Sequence, residues 1–224
     1  MKKNIIFIAL NCSIFCMLSS SPLKFAWEAL KNPTQVGAVF ECSESVGHEL
    51  MRYAKNHQGP KQIIEVGAGM GSVTKVICNH YLNKNDRVDV IEINPEYCVK
   101  LRKLFPREQY PHVYIHCVDV LKFVPTIKYD YIICTLPFNA FPNGLVKDLQ
   151  NQLKSFSHSG THLSYVEYMA FSYLRRSLTQ NQYKAQQLAE HKKLIDDFKN
   201  RYFVQTVKVF KNIPPIYVHH LKIS

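Results

Sequence analysis

Short apolar runs alternate with helical patterns from about residue 60 to the C-terminus. The apolar runs predict strands at residues 63–66, 88–91, 113–116, 131–135 and 162–166. The intervening patterns predict helices at residues 73–81, 95–105 and 145–156. Because a strand that alternates with a helix is the repeating unit of a parallel sheet, this order predicts a parallel sheet with helical crossovers.

The last fifth of the chain has a different pattern. A long polar helix is predicted at residues 181–200, and two β-rich runs at residues 202–210 and 217–223 flank Pro214 and Pro215. These two runs are expected to pair as an antiparallel hairpin at the edge of the sheet. The predicted fold class is therefore α/β, with a mostly parallel seven-stranded sheet, helices on both faces and a C-terminal antiparallel hairpin.

Composition limits the chain to one globular domain with an N-terminal extension. The 224 residues are 46% hydrophobic and 12% aromatic, which excludes a wholly disordered protein. The formal net charge of +11 favours contact with polyanions, either nucleic acid or an anionic membrane surface. Seven cysteines without a CxxC pair or histidines at zinc spacing predict reduced core thiols and no metal site.

A glycine-rich turn follows the first predicted strand. Gly67, Gly69 and Gly71 alternate there, with Ala68 between the first two. Gly67 and Gly69 leave room for the backbone to approach a ligand, and Gly71 is expected to begin a helix packed closely on the sheet. A plain tight turn has the same spacing, so the glycines alone do not define a cofactor site.

Acidic residues at three successive strand ends make the turn more informative. Glu65 ends the first strand, where a carboxylate suits the ammonium of a methionine group better than a dinucleotide pyrophosphate. Glu92 ends the second strand and is expected to bind a ribose, and Ile93 beside it is a further candidate for cofactor binding. Asp119, followed by Val120, is placed for an adenine amino group. The sequence therefore predicts an S-adenosylmethionine site.

The loop after the fourth strand is the candidate acceptor site, because reactive groups in such sheets lie at the carboxyl ends of strands. Leu136 and Pro137 offer backbone carbonyls, and Phe138 offers either an aromatic face to an amine or a core side chain. No single proton acceptor is evident. The candidates are the histidines near strand ends, His116, His158 and His162.

The motifs between Glu65 and Phe138 resemble those of class I S-adenosylmethionine-dependent methyltransferases, whose fold is Rossmann-like. Two subgroups are the most similar: the bacterial phospholipid N-methyltransferases and the ribosomal RNA adenine dimethylases. The segments at residues 25–45 and 209–215 resemble the phospholipid group. Glu41 and Cys42 depart from its pattern, since proline and serine usually stand there.

The resemblance implies an N-methyltransferase that acts on the amine headgroup of a membrane phospholipid or aminolipid, by direct displacement at the sulfonium methyl. Its partners would then be an anionic membrane surface and the phospholipid substrate. RNA is the alternative partner, although no basic helical domain follows the sheet. A non-catalytic protein that binds S-adenosylmethionine is a third possibility.

The sequence predicts an N-terminal extension at residues 1–23 and, from the resemblance, a methyltransferase domain at residues 24–224. Lys2 and Lys3 come before an apolar run at residues 5–18, which has the layout of a secretory signal. The run is shorter than the roughly 20 residues that span a bilayer. A cytosolic cofactor favours an uncleaved anchor or interfacial helix, hence a cytoplasmic protein at the inner face of the cell membrane; a cleaved signal peptide and a start-site artefact are the alternatives.

Overall fold

The computed structural model describes residues 42–169, 182–213 and 215–224. The predicted N-terminal anchor and Glu41 therefore lie outside the described residues. Within these ranges, seven strands form one sheet in the order β3-β2-β1-β4-β5-β7-β6. The strands are β1 Gln62–Val66, β2 Arg87–Glu92, β3 Val113–Cys117, β4 Tyr129–Cys134, β5 Ser157–Tyr168, β6 Phe203–Val209 and β7 Ile216–Lys222.

The first five strands are parallel, and β7 is antiparallel to both of its neighbours, β5 and β6. This arrangement confirms the predicted seven-stranded sheet and its C-terminal hairpin. The chain order reverses between β1 and β4, which are adjacent at the centre of the sheet. In an open α/β sheet, that reversal opens a crevice at the carboxyl ends of the strands.

Helices cover both faces of the sheet. They are α1 Glu44–Leu50, α2 Ser72–His80, α3 Pro95–Leu104, α4 Asn143–Phe156 and α5 Gln182–Arg201. Alternate strand residues point to opposite faces, so Ile63 packs in one hydrophobic core with α1, α2 and α3 while Ile64 packs in the other with α4 and α5. No helix in the described ranges is both long and apolar enough to cross a membrane.

Helix α1 was absent from the sequence-based prediction. It is only seven residues long, and its buried residues are Val46, Gly47 and Leu50. A Cβ atom on Gly47 would lie 2.7 Å from Cγ2 of Val76, so the glycine allows α1 to approach α2 closely. Packing against α2 therefore places this helix, and a seven-residue pattern is too short to predict it.

The cysteines only partly follow the expectation of core thiols. Cys42, Cys98 and Cys134 are buried, whereas Cys117 is exposed. Cys117 ends β3, which is the edge strand of the sheet.

Candidate functional site

A cavity of about 100 Å³, partly open to solvent, lies at the carboxyl ends of β1, β2 and β3, next to the loop after β4 and helix α4. Its polar border comes from Gly67, Glu92 and Asp119, and Leu136 lines it from the loop after β4. The cavity thus occupies the crevice that the reversal of strand order creates.

All three glycines of the turn have positive φ angles: 83° at Gly67, 56° at Gly69 and 90° at Gly71. A Cβ atom on Gly67 would lie 2.6 Å from Cδ2 of Leu136. At Gly69, by contrast, a Cβ atom would meet nothing within 4 Å. The turn therefore presents a bare backbone to open space at Gly69.

Gly71 differs from its predicted role in one respect. It precedes α2 as its N-cap, as expected, but a Cβ atom there would lie 2.8 Å from Cδ2 of Leu101 and 3.2 Å from Cε2 of Phe105. The close packing is therefore with α3 and not with the sheet. The order of strands and helices in the sequence does not predict which helix packs against Gly71.

Glu92 joins the ends of β1 and β2. Its Oε2 accepts a 2.7 Å hydrogen bond from the Gly69 N–H, and its Oε1 accepts a 2.8 Å bond from the Asn94 N–H. The residue is 6% exposed and lines the cavity. A carboxylate has about four acceptor positions, so two remain for a ligand. The structure thus places Glu92 at the cavity, and its predicted contact with a ribose stays a prediction.

Asp119 also lines the cavity, together with its predicted neighbour Val120. Its Oδ1 accepts a 2.9 Å bond from the Leu121 N–H and so begins a short 3-10 helix at Val120–Lys122. Ile93 is 52% exposed and contributes to the cavity from the end of β2. Ile93 and Val120 thus place apolar surface beside the two carboxylates, an arrangement suited to a nucleoside.

Glu65 does not share the cavity with Glu92 and Asp119, contrary to expectation. Val66 lines the cavity, and because successive strand residues point to opposite faces, Glu65 points under α2 instead. Its Oε2 accepts a 2.6 Å bond from the Thr74 hydroxyl, and no hydrogen bond to its Oε1 is found within the described residues. Burial, more than the charge of Glu92, raises the pKa of Glu65 to about 7.

Only one of the three candidate residues for the acceptor site lines the cavity. Leu136 lines the cavity, while Phe138 is 3% exposed and packs edge-on against Tyr165 at 5.0 Å between ring centroids. Pro137 precedes a short 3-10 helix at Phe138–Ala140, which turns the Phe138 ring inward. Of the two roles that the sequence left open for Phe138, the structure shows the core side chain. Ala68 is likewise buried, its N–H bonded to the Ile91 carbonyl.

The three candidate histidines lie away from the cavity. His116 bonds Asp89 at 2.7 Å, and His158 bonds Asp130 at 3.0 Å near the amino ends of β4 and β5. His162 stacks on Tyr53 at 4.5 Å. None of the three lines the cavity, and no histidine is among its lining residues in the described chain.

The sequence-based prediction missed several residues that shape the site. The Thr135 hydroxyl donates a 2.6 Å bond to the Gly67 carbonyl and holds the end of β4 to the glycine turn. Phe141, Leu145 and Leu149 form the apolar wall of the cavity. The spacing of the two leucines, four residues apart, was visible in the sequence, but their contact with the ends of β1 and β2 depends on how α4 packs.

The fold has known relatives among solved structures. The N-methyltransferase NodS from Bradyrhizobium japonicum WM9, in complex with S-adenosyl-L-homocysteine, superposes with a TM-score of 0.57 and 14% identity over 80% of this chain and 86% of that one. An O-methyltransferase from Bacillus cereus, also in complex with S-adenosylhomocysteine, gives a TM-score of 0.60 and 17% identity over 87% and 90% of the two chains.

A precorrin-6y C5,15-methyltransferase from Geobacter metallireducens GS-15 gives a TM-score of 0.57 and 15% identity over 83% and 91% of the two chains. No protein-family model matches the sequence, and a search of curated proteins gave no match. The similarity thus lies in the fold, which is the Rossmann-like fold of class I S-adenosylmethionine-dependent methyltransferases.

Proposed function

We propose that this protein is a methyltransferase that uses S-adenosylmethionine. One observation carries the proposal: residues from three successive strand ends, Gly67, Glu92 and Asp119, border a single cavity with otherwise apolar walls. Structural relatives of the chain contain S-adenosylhomocysteine, the demethylated product of that compound. The fold and the chemistry of the cavity therefore favour the same ligand.

The residues of the cavity fit this ligand. Glu92 has acceptor capacity left for the two ribose hydroxyls after binding the amides of Gly69 and Asn94. The second oxygen of Asp119 would accept from the adenine amino group, with the base between Ile93 and Val120. The open space beside Gly69 would receive the methionine portion, since a side chain there would fill it.

Glu65 is assigned an indirect role in this proposal. Its carboxylate is fully buried and bonded to Thr74, so it braces α2 behind the glycine turn. A cation bound on the other side of the turn would favour its ionised form across a medium of low dielectric constant. Binding of the cofactor would then release a proton near neutral pH.

S-adenosylmethionine supplies an electrophilic methyl group to a nucleophile held in line with the sulfur. The chain would contribute alignment and the exclusion of water, through the wall formed by Leu136, Phe141 and Leu145. A primary ammonium acceptor with a pKa near 10.4 must first lose a proton. Because no histidine lines the cavity in the described residues, we expect that proton to leave to water.

The acceptor that we propose is the amine of a membrane phospholipid or aminolipid headgroup. The support is the net charge of +11, the apolar run at residues 5–18 and the sequence resemblance to phospholipid N-methyltransferases. The structural relatives include methyltransferases that act on nitrogen, oxygen and carbon, so the fold does not choose the acceptor atom. RNA is the competing acceptor, because the same charge would attract phosphates.

Calorimetric titration with S-adenosylmethionine tests the cofactor. We expect binding to the wild-type chain, a loss of about tenfold or more in Glu92→Ala, and no change in Glu96→Ala, whose side chain is exposed on α3 nearby. Incubation with cofactor labelled in the methyl group, total membrane lipid and total RNA then tests the acceptor. Label in lipid supports the proposal, and label in RNA alone overturns it without affecting the cofactor assignment.

A further inference from the structure

Three side chains of the types that commonly bind metal ions, one glutamate and two histidines, lie close together where α1 packs against the end of α2. Glu44 and His48 are one turn apart on α1, and His80 is the last residue of α2. The Nε2 atoms of His48 and His80 each lie 3.7 Å from the same oxygen, Oε1 of Glu44. One ligand atom from each residue lies within 4.8 Å of the others.

The second nitrogen of His48 is held by Tyr81, the residue that follows α2. The distance from His48 Nδ1 to the Tyr81 hydroxyl is 3.0 Å, and that hydroxyl lies 3.4 Å from the His48 carbonyl oxygen. When Tyr81 donates to the carbonyl, its oxygen accepts from Nδ1–H, which leaves the lone pair on Nε2. A hydrogen bond of this kind fixes the orientation of histidines that bind metals.

In this tautomer the Nε2 lone pair of His48 faces a carboxylate oxygen of Glu44, and a metal cation between them would bind both. The side chains of Glu44, His48 and His80 are 72%, 41% and 46% exposed, so an ion can reach them from solvent. We propose that Glu44, His48 and His80 form a binding site for one Zn²⁺ ion or a similar divalent transition metal.

The ligand set decides the class of metal. Two imidazole nitrogens and one carboxylate suit Zn²⁺ and its neighbours in the first transition row, whereas Mg²⁺ and Ca²⁺ prefer oxygen ligands throughout. In tetrahedral zinc, bonds of about 2.0–2.1 Å place ligand atoms about 3.3–3.4 Å apart. The two Nε2–Oε1 separations of 3.7 Å are close to this spacing, and all three ligand atoms lie within 4.8 Å of one another, so side-chain rotation would bring them onto one ion. Water would fill the fourth position.

The location indicates what the ion would do. Helix α2 begins at Ser72, directly after Gly71, and spans nine residues, about 13 Å, so the metal ligand His80 lies at the end remote from the glycine turn. An ion bound there joins α1 to α2, because it takes two ligands from the first helix and one from the second. Since the unfolded chain does not hold these ligands together, zinc would stabilise the folded state.

The test uses the full chain after removal of metal with a chelator. Titration with Zn²⁺ against a chromophoric chelator should show one tight site in the wild type, and affinity should fall by about tenfold or more in His48→Ala and His80→Ala. His158→Ala is the matched control, since His158 is 42% exposed and paired with Asp130. Its affinity for zinc should equal that of the wild type.

A second measurement separates binding from damage to the fold. Zinc should raise the melting temperature of the wild type and of His158→Ala, and should leave Glu44→Gln and His80→Ala unchanged. The melting temperatures of all four proteins without zinc report whether each variant folds. Equal zinc affinity in wild type, Glu44→Gln and His80→Ala, or no tight binding in the wild type, would overturn the proposal.

Discussion

The Gly69 amide donates a 2.7 Å hydrogen bond to Oε2 of Glu92, and so ties the turn after β1 to the end of β2 across 23 positions of sequence. The same carboxylate accepts from the Asn94 amide through its other oxygen. One buried side chain therefore shapes the glycine turn and borders the cavity. A change at Glu92 should affect both the stability of the turn and the binding of a ligand.

Glu92→Gln tests this double role. The amide keeps one acceptor oxygen but turns an NH₂ group toward a backbone N–H, so we expect unfolding to become easier by about 1.5–3 kcal/mol. The measurement is urea unfolding, with Glu96→Gln on the exposed side of α3 as the control. Identical unfolding midpoints in the two variants would contradict the bracing role of Glu92.

The glycines of the turn should respond differently to substitution. Gly69→Ala places a Cβ atom in open space at a φ of 56°, so only backbone strain of about 1–2 kcal/mol is expected. Gly71→Ala adds a collision with Leu101 and Phe105 in α3, worth about 1–3 kcal/mol more. Denaturant unfolding should therefore rank Gly71→Ala as the less stable variant.

The binding results should not follow that ranking. Gly69→Val fills the space assigned to the cofactor, and we expect its affinity for S-adenosylmethionine to fall by about tenfold or more while the protein stays folded. Calorimetry on the folded variant measures this. Full affinity in Gly69→Val would show that the methionine portion does not lie beside residue 69.

Glu65 should make stability depend on pH. Because burial raises its pKa in the folded state to about 7, from about 4.5, the folded chain binds more protons than the unfolded chain between these values. Stability is therefore lost as the pH rises from about 4.5 to about 7, by about 3 kcal/mol. Glu65→Gln keeps an acceptor for the Thr74 hydroxyl and removes the titration.

The measurement compares urea unfolding of wild type and Glu65→Gln at about pH 5 and about pH 8. We expect the free energy of unfolding of the variant to increase relative to that of the wild type as the pH rises, because only the wild type must bury a charge or bind a proton. Glu96→Gln, which removes an exposed carboxylate, supplies the control. A difference between wild type and Glu65→Gln that stays constant with pH would refute the assignment.

A buried ion pair at the amino ends of β1 and β2 should contribute more to stability than surface pairs do. Lys61 and Asp86 are 2% and 1% exposed, and their charged atoms lie 2.6 Å apart. Asp86 also accepts from the backbone amides of Lys61 and Asn83, both at 2.7 Å. Asp86→Asn leaves the ammonium buried without its counter-charge, so we expect a loss of about 3–5 kcal/mol.

The exposed pair Lys193–Asp197, at 3.1 Å on α5, supplies the comparison. Lys193→Ala should change the free energy of unfolding by about 1 kcal/mol or less, since solvent screens that pair. Chemical denaturation of both variants gives the two values. Similar losses would mean that the buried pair contributes no more than a surface pair.

The local pattern predicted the elements well and their contacts less well. Each predicted strand overlaps an observed one, because alternating side-chain directions and turn residues act within a few positions of sequence. The positions of Gly67, Glu92 and Asp119 also followed from the sequence, since parallel strands end at one edge of the sheet. This reasoning did not predict which face of the sheet each carboxylate points to. Glu65 was therefore expected in the cavity, but it lies under α2 and bonds Thr74.

The sequence by itself determined the α/β class, the seven strands, the glycine turn and the acidic ends of β2 and β3, because these depend on spacing along the chain. Tertiary packing alone decided that Glu65 lies under α2, that Phe138 turns toward Tyr165, and that His80 meets Glu44 and His48. Each of those contacts joins two different secondary-structure elements. Their geometry is set by how helices pack on the sheet, a property that no local pattern encodes.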